Sequence, residues 1–409
     1  MVTSILRPRD AEELRRVVEW AVNDGARLAI EGRGSKRAYG PPRDAAHTLS
    51  LSELAGVVEY QPEELVITAR AGTPIREIEA LLAQRRQMLA FEPSDLGAVL
   101  GGAAGEGTLA GALMCNLAGP RRISHGAARD HFLGFSGVNG RAERFKSGGK
   151  VMKNVTGYDL SKLMAGSRGT LAALDEISVK TLPAPEKTRT LLLAGLDDAA
   201  GVRALCAAMG SPHEVSGAAH LPVAVAARAT VDLVAGLGGA VTAIRVEGVG
   251  PSVEARLAGL RTQFAGAAPR VEELHTLRSL AFWTAVRDAR PVADDTARPL
   301  WRLSCPPTDG PAVVAAIRAA RPDAEAMYDW SGGLVWLSLA PATDAAVDDA
   351  AAPVVRGALS AGGGHATLVR APEAVRARVA VFHPQPAPLA ALAARVRGSF
   401  DPKGVFAGA

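Results

Sequence analysis

The chain has 409 residues, 48% of them hydrophobic; at about 150 residues per domain this allows two or three domains with buried cores and excludes a disordered tail protein. Lys and Arg number 46 against 42 Asp and Glu, a net charge of +4 with both signs spread along the chain, which excludes the clustered basic face of a nucleic-acid binder. The cysteines, Cys115, Cys206 and Cys305, are odd in number and far apart, so they assemble neither a disulfide framework nor a CxxC metal or iron–sulfur site, and the expected compartment is reducing.

The opening MVTSILRPRD has no apolar signal-like stretch and no 18-residue apolar run follows, so the expected location is the cytoplasm, with any membrane reached only through a partner. Residues 8–25 read as a helix: Asp10 is placed to cap it, Glu13 stands three residues on, Leu14, Val17, Val18 and Ala21 form one apolar stripe, and Gly25 stops it. Residues 27–30 form a short strand that runs into the loop EGRGSKRAYGPP, where Pro41 and Pro42 forbid an immediate helix. Strands are expected at 57–60 and 65–71, followed by a helix opened by Thr73 and Pro74 with Ile75, Ile78, Leu81 and Leu82 inward. Residues 97–149 are dense in glycine with few helix signals. Pro183 and Pro185 mark a domain border. Beyond it the chain is rich in Ala, Arg and Val, with strands at 243–246 and 334–339, a helix near 311–320, and a proline-bearing tail from His383 that ends in SFDPKGVFAGA. No internal repeat is visible. All lysines except Lys403 precede residue 188, which reflects either chance or positions that need a compact ammonium instead of a planar fork.

The loop Gly32-Arg33-Gly34-Ser35-Lys36 follows a strand directly, and successive backbone N–H groups in a glycine-rich turn form a nest for phosphate oxygens. It is not a Rossmann fingerprint, because Arg37 stands where the third glycine belongs, and GxxxxGK[ST] is absent; an ordinary turn is the alternative. The second stretch adds glycines at 101, 102, 105, 107, 111, 119 and 126, with donors at Thr108, Asn116, Arg121, Arg122 and Arg129. Two cradles more than sixty residues apart suit one long ligand, and a dinucleotide fits better than a single phosphate.

The segments EGRGSK, YQPEELVITARAGTPIREIEALLAQRRQML, FEPSDLG, LAGPRRISHGAARDHFLG, GGKVMKNVTGYDLSKLMAGSRGTLAALDEISVKTLP and the terminal DPKGVF resemble the vanillyl-alcohol oxidase-like (PCMH-type) FAD-binding flavoproteins and, within them, the FAD-binding E subunits of bacterial glycolate oxidases. The resemblance is strong over about residues 27–184 and the last ten, and weak between. It implies an α+β fold: an FAD domain of two small α+β subdomains over 1–184, a cap domain over 185–375 with an antiparallel sheet flanked by helices, and a C-terminal segment, 376–409, returning to the first domain. It places the FAD pyrophosphate on Gly32, Arg33, Gly34, Ser35 and Lys36. Pro93, Thr108, Gly111, Gly119, Pro120, Gly126 and Arg129 are implied around pyrophosphate, ribityl chain and isoalloxazine, with Glu176 and Ile177 at the adenine side. Some relatives attach FAD through a histidine in the first loop. None stands between Met1 and His47, so noncovalent FAD is expected. Relatives commonly end in FNPG or a longer tail, a pattern absent from this terminus.

Oxidation of a 2-hydroxy acid on a flavin needs a cation for the carboxylate and a base for the hydroxyl proton. The histidine-rich motifs HxGDGNxH and EHGxG of catalytic relatives, which can also bind a metal, are absent; His365 after three glycines and His383 stand singly, so no metal site is expected. His365, like His125 and His131, reads as a turn or packing residue before it reads as a base. Lys150, Lys153, Tyr158 and Asp159 either stabilise a reduced flavin or tie a helix start to a sheet. The resemblance thus implies a flavin-carrying subunit of a multi-subunit glycolate dehydrogenase, beside a catalytic FAD subunit and an iron–sulfur subunit. The alternatives are a self-sufficient dehydrogenase with Arg245, Arg287 or Arg302 as carboxylate clamps, and a structural subunit with a degenerate flavin pocket.

Overall fold

In a computed structural model the described residues are 4–150, 157–342, 348–359 and 362–407. They form two compact units: 1–118, 126–184 and 384–409 make the first, and 119–125 with 185–383 make the second.

The first unit holds strands β1 (Ser4–Leu6), β2 (Leu28–Glu31), β3 (His47–Ser50), β4 (Val57–Gln61), β5 (Val66–Arg70), β6 (Gln87–Met88), β7 (Phe132–Asn139), β8 (Arg144–Gly148), β9 (Ala172–Lys180) and β10 (Leu182–Pro183). A parallel sheet runs β1-β3-β2 and an antiparallel one β4-β5-β9-β7-β8, with β6 and β10 paired apart. The helix Ala11–Asp24 carries the chain from β1 to β2. Asp10 accepts from the Glu12 and Glu13 amides at 2.8 Å each, and Gly25 closes the helix at φ 65°, which a residue without Cβ adopts at little cost. Glu13 reaches back to the Arg9 amide at 2.9 Å, one residue earlier than a capping box requires. Leu14 and Val18 of this helix, Leu28, Leu49, Ile67, Phe91 and Phe132 belong to one core that both sheets share.

The chain's last segment joins this unit by backbone hydrogen bonds. Leu28 N donates to Val405 O at 2.8 Å, and Ala407 N to Leu28 O at 2.9 Å. Asp401 makes the preceding turn, its carboxylate accepting from Val405 N at 2.9 Å and Phe406 N at 2.8 Å. A Cβ on Gly140 would fall 2.2 Å from Asp401 Oδ1, so the hairpin tip after β7 must be bare there.

The second unit holds β11 (Lys187–Ala194), β12 (Val215–Leu221), β13 (Val241–Gly248), β14 (Arg270–Leu274), β15 (Leu300–Ser304), β16 (Glu325–Asp329), β17 (Leu334–Ser338) and β18 (His365–Arg370). All are antiparallel, in the order β14-β11-β13-β12-β16-β17-β15-β18. This order is a duplication that the sequence does not reveal. β11–β14 with helices Asp198–Met209 and Gly250–Gln263 form one βαββαβ half; β15–β18 with Gly310–Ala320 and Ala352–Gly357 form another. Each half is ordered fourth-first-third-second, and the two second strands meet at His220 opposite Tyr328. These four helices pack on one face, over Leu191, Ile244 and Val246 in one half and Trp301, Leu303 and Val335 in the other, while the helix Thr276–Arg287 covers part of the opposite face, its Trp283 Nε1 donating to Thr190 Oγ1 at 2.8 Å. Under the seam, Asp198 accepts from Tyr328 Oη and Arg318 Nη1 at 2.8 Å each and lies 3.4 Å from His220 Nε2.

Candidate functional site

β2 delivers the first glycine loop to a cleft of about 750 Å³, part of it open to solvent, within the first unit. Gly32, Arg33, Gly34, Ser35 and Lys36 line it, and so do Thr108 and Gly111 from the second glycine stretch. The two meet because Pro74 and Thr108 form an isolated bridge, with Leu109 N bonded to Thr73 O at 3.0 Å and Ile75 N to Gly107 O at 2.9 Å.

The glycines leave room that any side chain would take. A Cβ on Gly32 would lie 2.4 Å from Thr108 Oγ1; one on Gly111 would lie 3.1 Å from the same oxygen and 3.5 Å from Lys36 Nζ. Gly34 sits at φ 82°, the left-handed conformation that turns the loop. Arg33 and Arg76 hold the loops together through Glu106, at 2.6 and 3.2 Å. Arg37, paired with Glu31 at 2.6 Å, closes the loop on its own strand.

Sequence reasoning missed several lining residues: Tyr39, Arg43, Met114, Cys115, Arg168 and Gly169. Arg168 and Gly169 come from the turn before β9, where both adopt positive φ, 53° and 77°, and Arg168 N bonds Met114 O at 2.8 Å. The run AGSRGT carried the signal, because paired glycines around a basic residue mark a turn that puts the cation at a backbone kink. Burial pulls the Arg43 and Arg168 guanidiniums below their ordinary values, and pushes the Cys115 thiol up. Arg43 Nη1 donates to Ile30 O at 2.9 Å, while its buried Nε has no hydrogen-bond partner.

These residues fit a dinucleotide diphosphate. Lys36 and the half-buried Arg43 and Arg168 line the cleft with positive charge suited to phosphate oxygens, and the bare glycines let those oxygens approach the backbone.

The other expected residues lie elsewhere. Pro93 is buried outside the cleft lining. Gly126, at φ 86°, and the exposed Arg129 belong to the turn in which Asp130 accepts from Ala127 N at 2.8 Å. Gly119 and Pro120 belong to the second unit. Glu176 and Ile177 stand in the ladder between β5 and β7, Ile177 fully buried; Ala172 and Leu174 of the same strand line the cleft instead. Lys150 is ion-paired with Glu59, Tyr158 is 89% exposed, and Asp159 accepts from Lys162 N at 3.3 Å, the helix-start role; Lys153 lies outside the described residues. Of the arginines considered as clamps, Arg245 is buried over Trp283 and 3.4 Å from Glu247, and Arg287 holds Asp288 at 2.8 Å.

The FAD binding domain family matches residues 2–147. The chain is 34% identical over 397 residues to the glycolate oxidase subunit GlcE of Escherichia coli (strain K12), covering 97% of this chain and 95% of that one. It is 27% identical over 193 residues to the glycolate oxidase subunit GlcD of Bacillus subtilis (strain 168), covering 47% of this chain and 39% of that one. In structure it resembles substrate-bound p-cresol methylhydroxylase (TM-score 0.72, 12% identity, 98% of this chain and 87% of that one) and alkyldihydroxyacetonephosphate synthase (TM-score 0.71, 15% identity, 99% and 76%), which at such identities establish the fold alone. Its two units are thus those of the PCMH-type α+β fold, and the chain belongs to the family of the glycolate oxidase subunit GlcE, FAD-dependent oxidoreductase subunits.

Proposed function

We propose that this chain is the FAD-carrying subunit of a multi-subunit glycolate (2-hydroxy acid) oxidase, working in the cytoplasm beside a catalytic FAD subunit and an iron–sulfur subunit. The observation that carries this reading is the meeting of both glycine loops with the half-buried Arg43 and Arg168 in one cleft. Bound FAD supplies the two-electron acceptor. Lys36, Arg43 and Arg168 neutralise its phosphates, and the first-loop glycines admit them to the backbone. The ligand is held without a covalent bond, since the first loop offers no histidine. Cys115, its thiol pushed up by burial, is kept in the weakly nucleophilic protonated form. No helix among the described residues is long and apolar enough to cross a membrane, in keeping with a membrane reached through partners.

The test is a visible spectrum of the purified full chain. Flavin bands are expected, with the flavin released to the supernatant on acid precipitation; a chain that stays colourless after incubation with FAD overturns the reading. Bleaching by glycolate only when the partner subunits are added assigns the chain to electron transfer within the complex. Bleaching by the chain alone replaces that assignment with the self-sufficient enzyme.

A further inference from the structure

The parallel sheet of the first unit has its two edges in different states. On the β2 side the chain's own terminus closes it, with Phe406 bridged to Leu28. On the β1 side no strand lies beside Ser4–Leu6 among the described residues, so the outward N–H and C=O groups of β1 have no ladder partner. Ile5 is 42% exposed there, and Ser4–Leu6 carries neither the bulge nor the charge that blunts an edge.

A groove of about 730 Å³, open to solvent, runs beside this edge. Leu6, Arg7 and Pro8 line it from the end of β1, and Glu13, Arg16, Val17 and Trp20 from the helix Ala11–Asp24. The helix residues recur at steps of three and four, so they form one stripe, offset from the Leu14, Val18 and Ala21 face that the core takes. Leu6 and Val17 make an apolar floor, packed against that core. Trp20, 36% exposed, ties the helix to the strand edge: its ring meets His47 of β3 edge-on at a centroid distance of 5.0 Å, and His47 Nδ1 lies 2.6 Å from Ser4 Oγ.

The groove is positively charged. Its one carboxylate, Glu13, is engaged by the Arg9 amide at 2.9 Å. Arg7 and Arg16 are exposed and have no ion-pair partner among the described residues, although the charge of Arg16 bears on Asp10 and Glu12 from a distance. A second copy of this chain paired along β1 would bring its own Arg7 and Arg9 against these groups, like charge on like. An acidic strand meets no such obstacle.

We propose that this groove takes an extended, acidic segment of a partner subunit by strand addition: its backbone pairs with the free edge of β1, its apolar side chains lie on Leu6, Val17 and Trp20, and a carboxylate sits between Arg7 and Arg16. The chemistry of the segment rests on the groove alone; its origin in a partner subunit rests on the multi-subunit function proposed above.

The full FAD-loaded chain is mixed with the purified catalytic and iron–sulfur subunits, and association is followed by sedimentation, with amide exchange and flavin absorbance recorded on the same samples. Association is expected to slow exchange at residues 4–6. Arg7→Glu and Arg16→Glu each weaken it at least tenfold, and added salt narrows the difference from the unsubstituted chain. A photoreactive phenylalanine analogue in place of Trp20 is expected to crosslink to a partner segment that carries Asp or Glu. Should Arg7→Glu disturb β1, Arg16→Glu on the exposed helix face carries the same comparison. Association unchanged in both arginine variants, exchange unchanged at 4–6, or a crosslink to a segment without acidic residues or to a second copy of this chain overturns the groove and leaves the multi-subunit function standing. Absence of any association by the unsubstituted chain overturns that function and the groove with it. A colourless chain that still associates through these arginines overturns the flavin assignment only.

Discussion

Gly32 and Thr108 show how closely one residue sets the flavin cleft. Thr108 Oγ1 is already occupied as the cap of the helix Leu109–Met114, accepting from Gly111 N at 3.2 Å, so it has little freedom to retreat. Gly32→Ala puts a methyl group 2.4 Å from that oxygen and 2.8 Å from Thr108 Cγ2. The expected overpacking cost is about 1–3 kcal/mol, felt as a loop shift that lowers FAD affinity at least tenfold. Thr108→Ala on the same chain removes both clashing atoms, and the double variant should recover part of the affinity despite losing the cap. Flavin-to-protein absorbance ratios after gel filtration give the four corners of the cycle. Equal losses in the single and double variants would disprove the steric account.

At the level of elements, the seam between the two βαββαβ halves depends on a charge under the sheet. Burial alone would raise the Asp198 carboxyl, but hydrogen bonds from His220, Tyr328 and Arg318 outweigh it and hold it well below the usual carboxylate range. A carboxyl depressed in the folded state adds stability that is full above its unfolded value, about 3.9, and is lost as pH falls from there through the folded value. Asp198→Asn is expected to cost about 2 kcal/mol near neutrality. That deficit should stay constant above about pH 5 and shrink below about pH 4, as thermal melts of both proteins across this range would record. This network also marks what the sequence left hidden. Helix Ala11–Asp24, the strands at 57–61 and 66–70 and the helix at 310–320 follow from caps, alternation and proline placement, which are local signals. The duplication is not local: its halves share strand order and alternating burial but no repeated motif, and His220 meets Tyr328 across more than a hundred residues. Arg168 escaped for the same reason, its turn lying more than 130 residues from the loop it faces.

Over the molecule as a whole, each unit keeps its own core, and the chain's final turn bears on one of them. The segment DPKGVF is a structural device: Asp401 folds the turn, Gly404 takes φ 65°, and the strand that follows bonds Leu28 on both its N–H and its C=O. Leu28 opens β2, and β2 ends at the glycine loop, so the terminus steadies the flavin cradle from four residues away. Asp401→Ala removes two hydrogen bonds to a carboxylate, each worth about 1.5–3 kcal/mol, and frees the edge of β2. Its effects should be confined to the first unit: weaker FAD retention and faster amide exchange at 28–31, with exchange across β12 and β16 unchanged. Asp198→Asn should do the reverse, accelerating exchange in β12 and β16 while the flavin stays bound. Because sites with no shared partner act independently, the doubly substituted chain should show the two effects added, and flavin loss from Asp198→Asn alone would mean that the seam, too, governs the cradle.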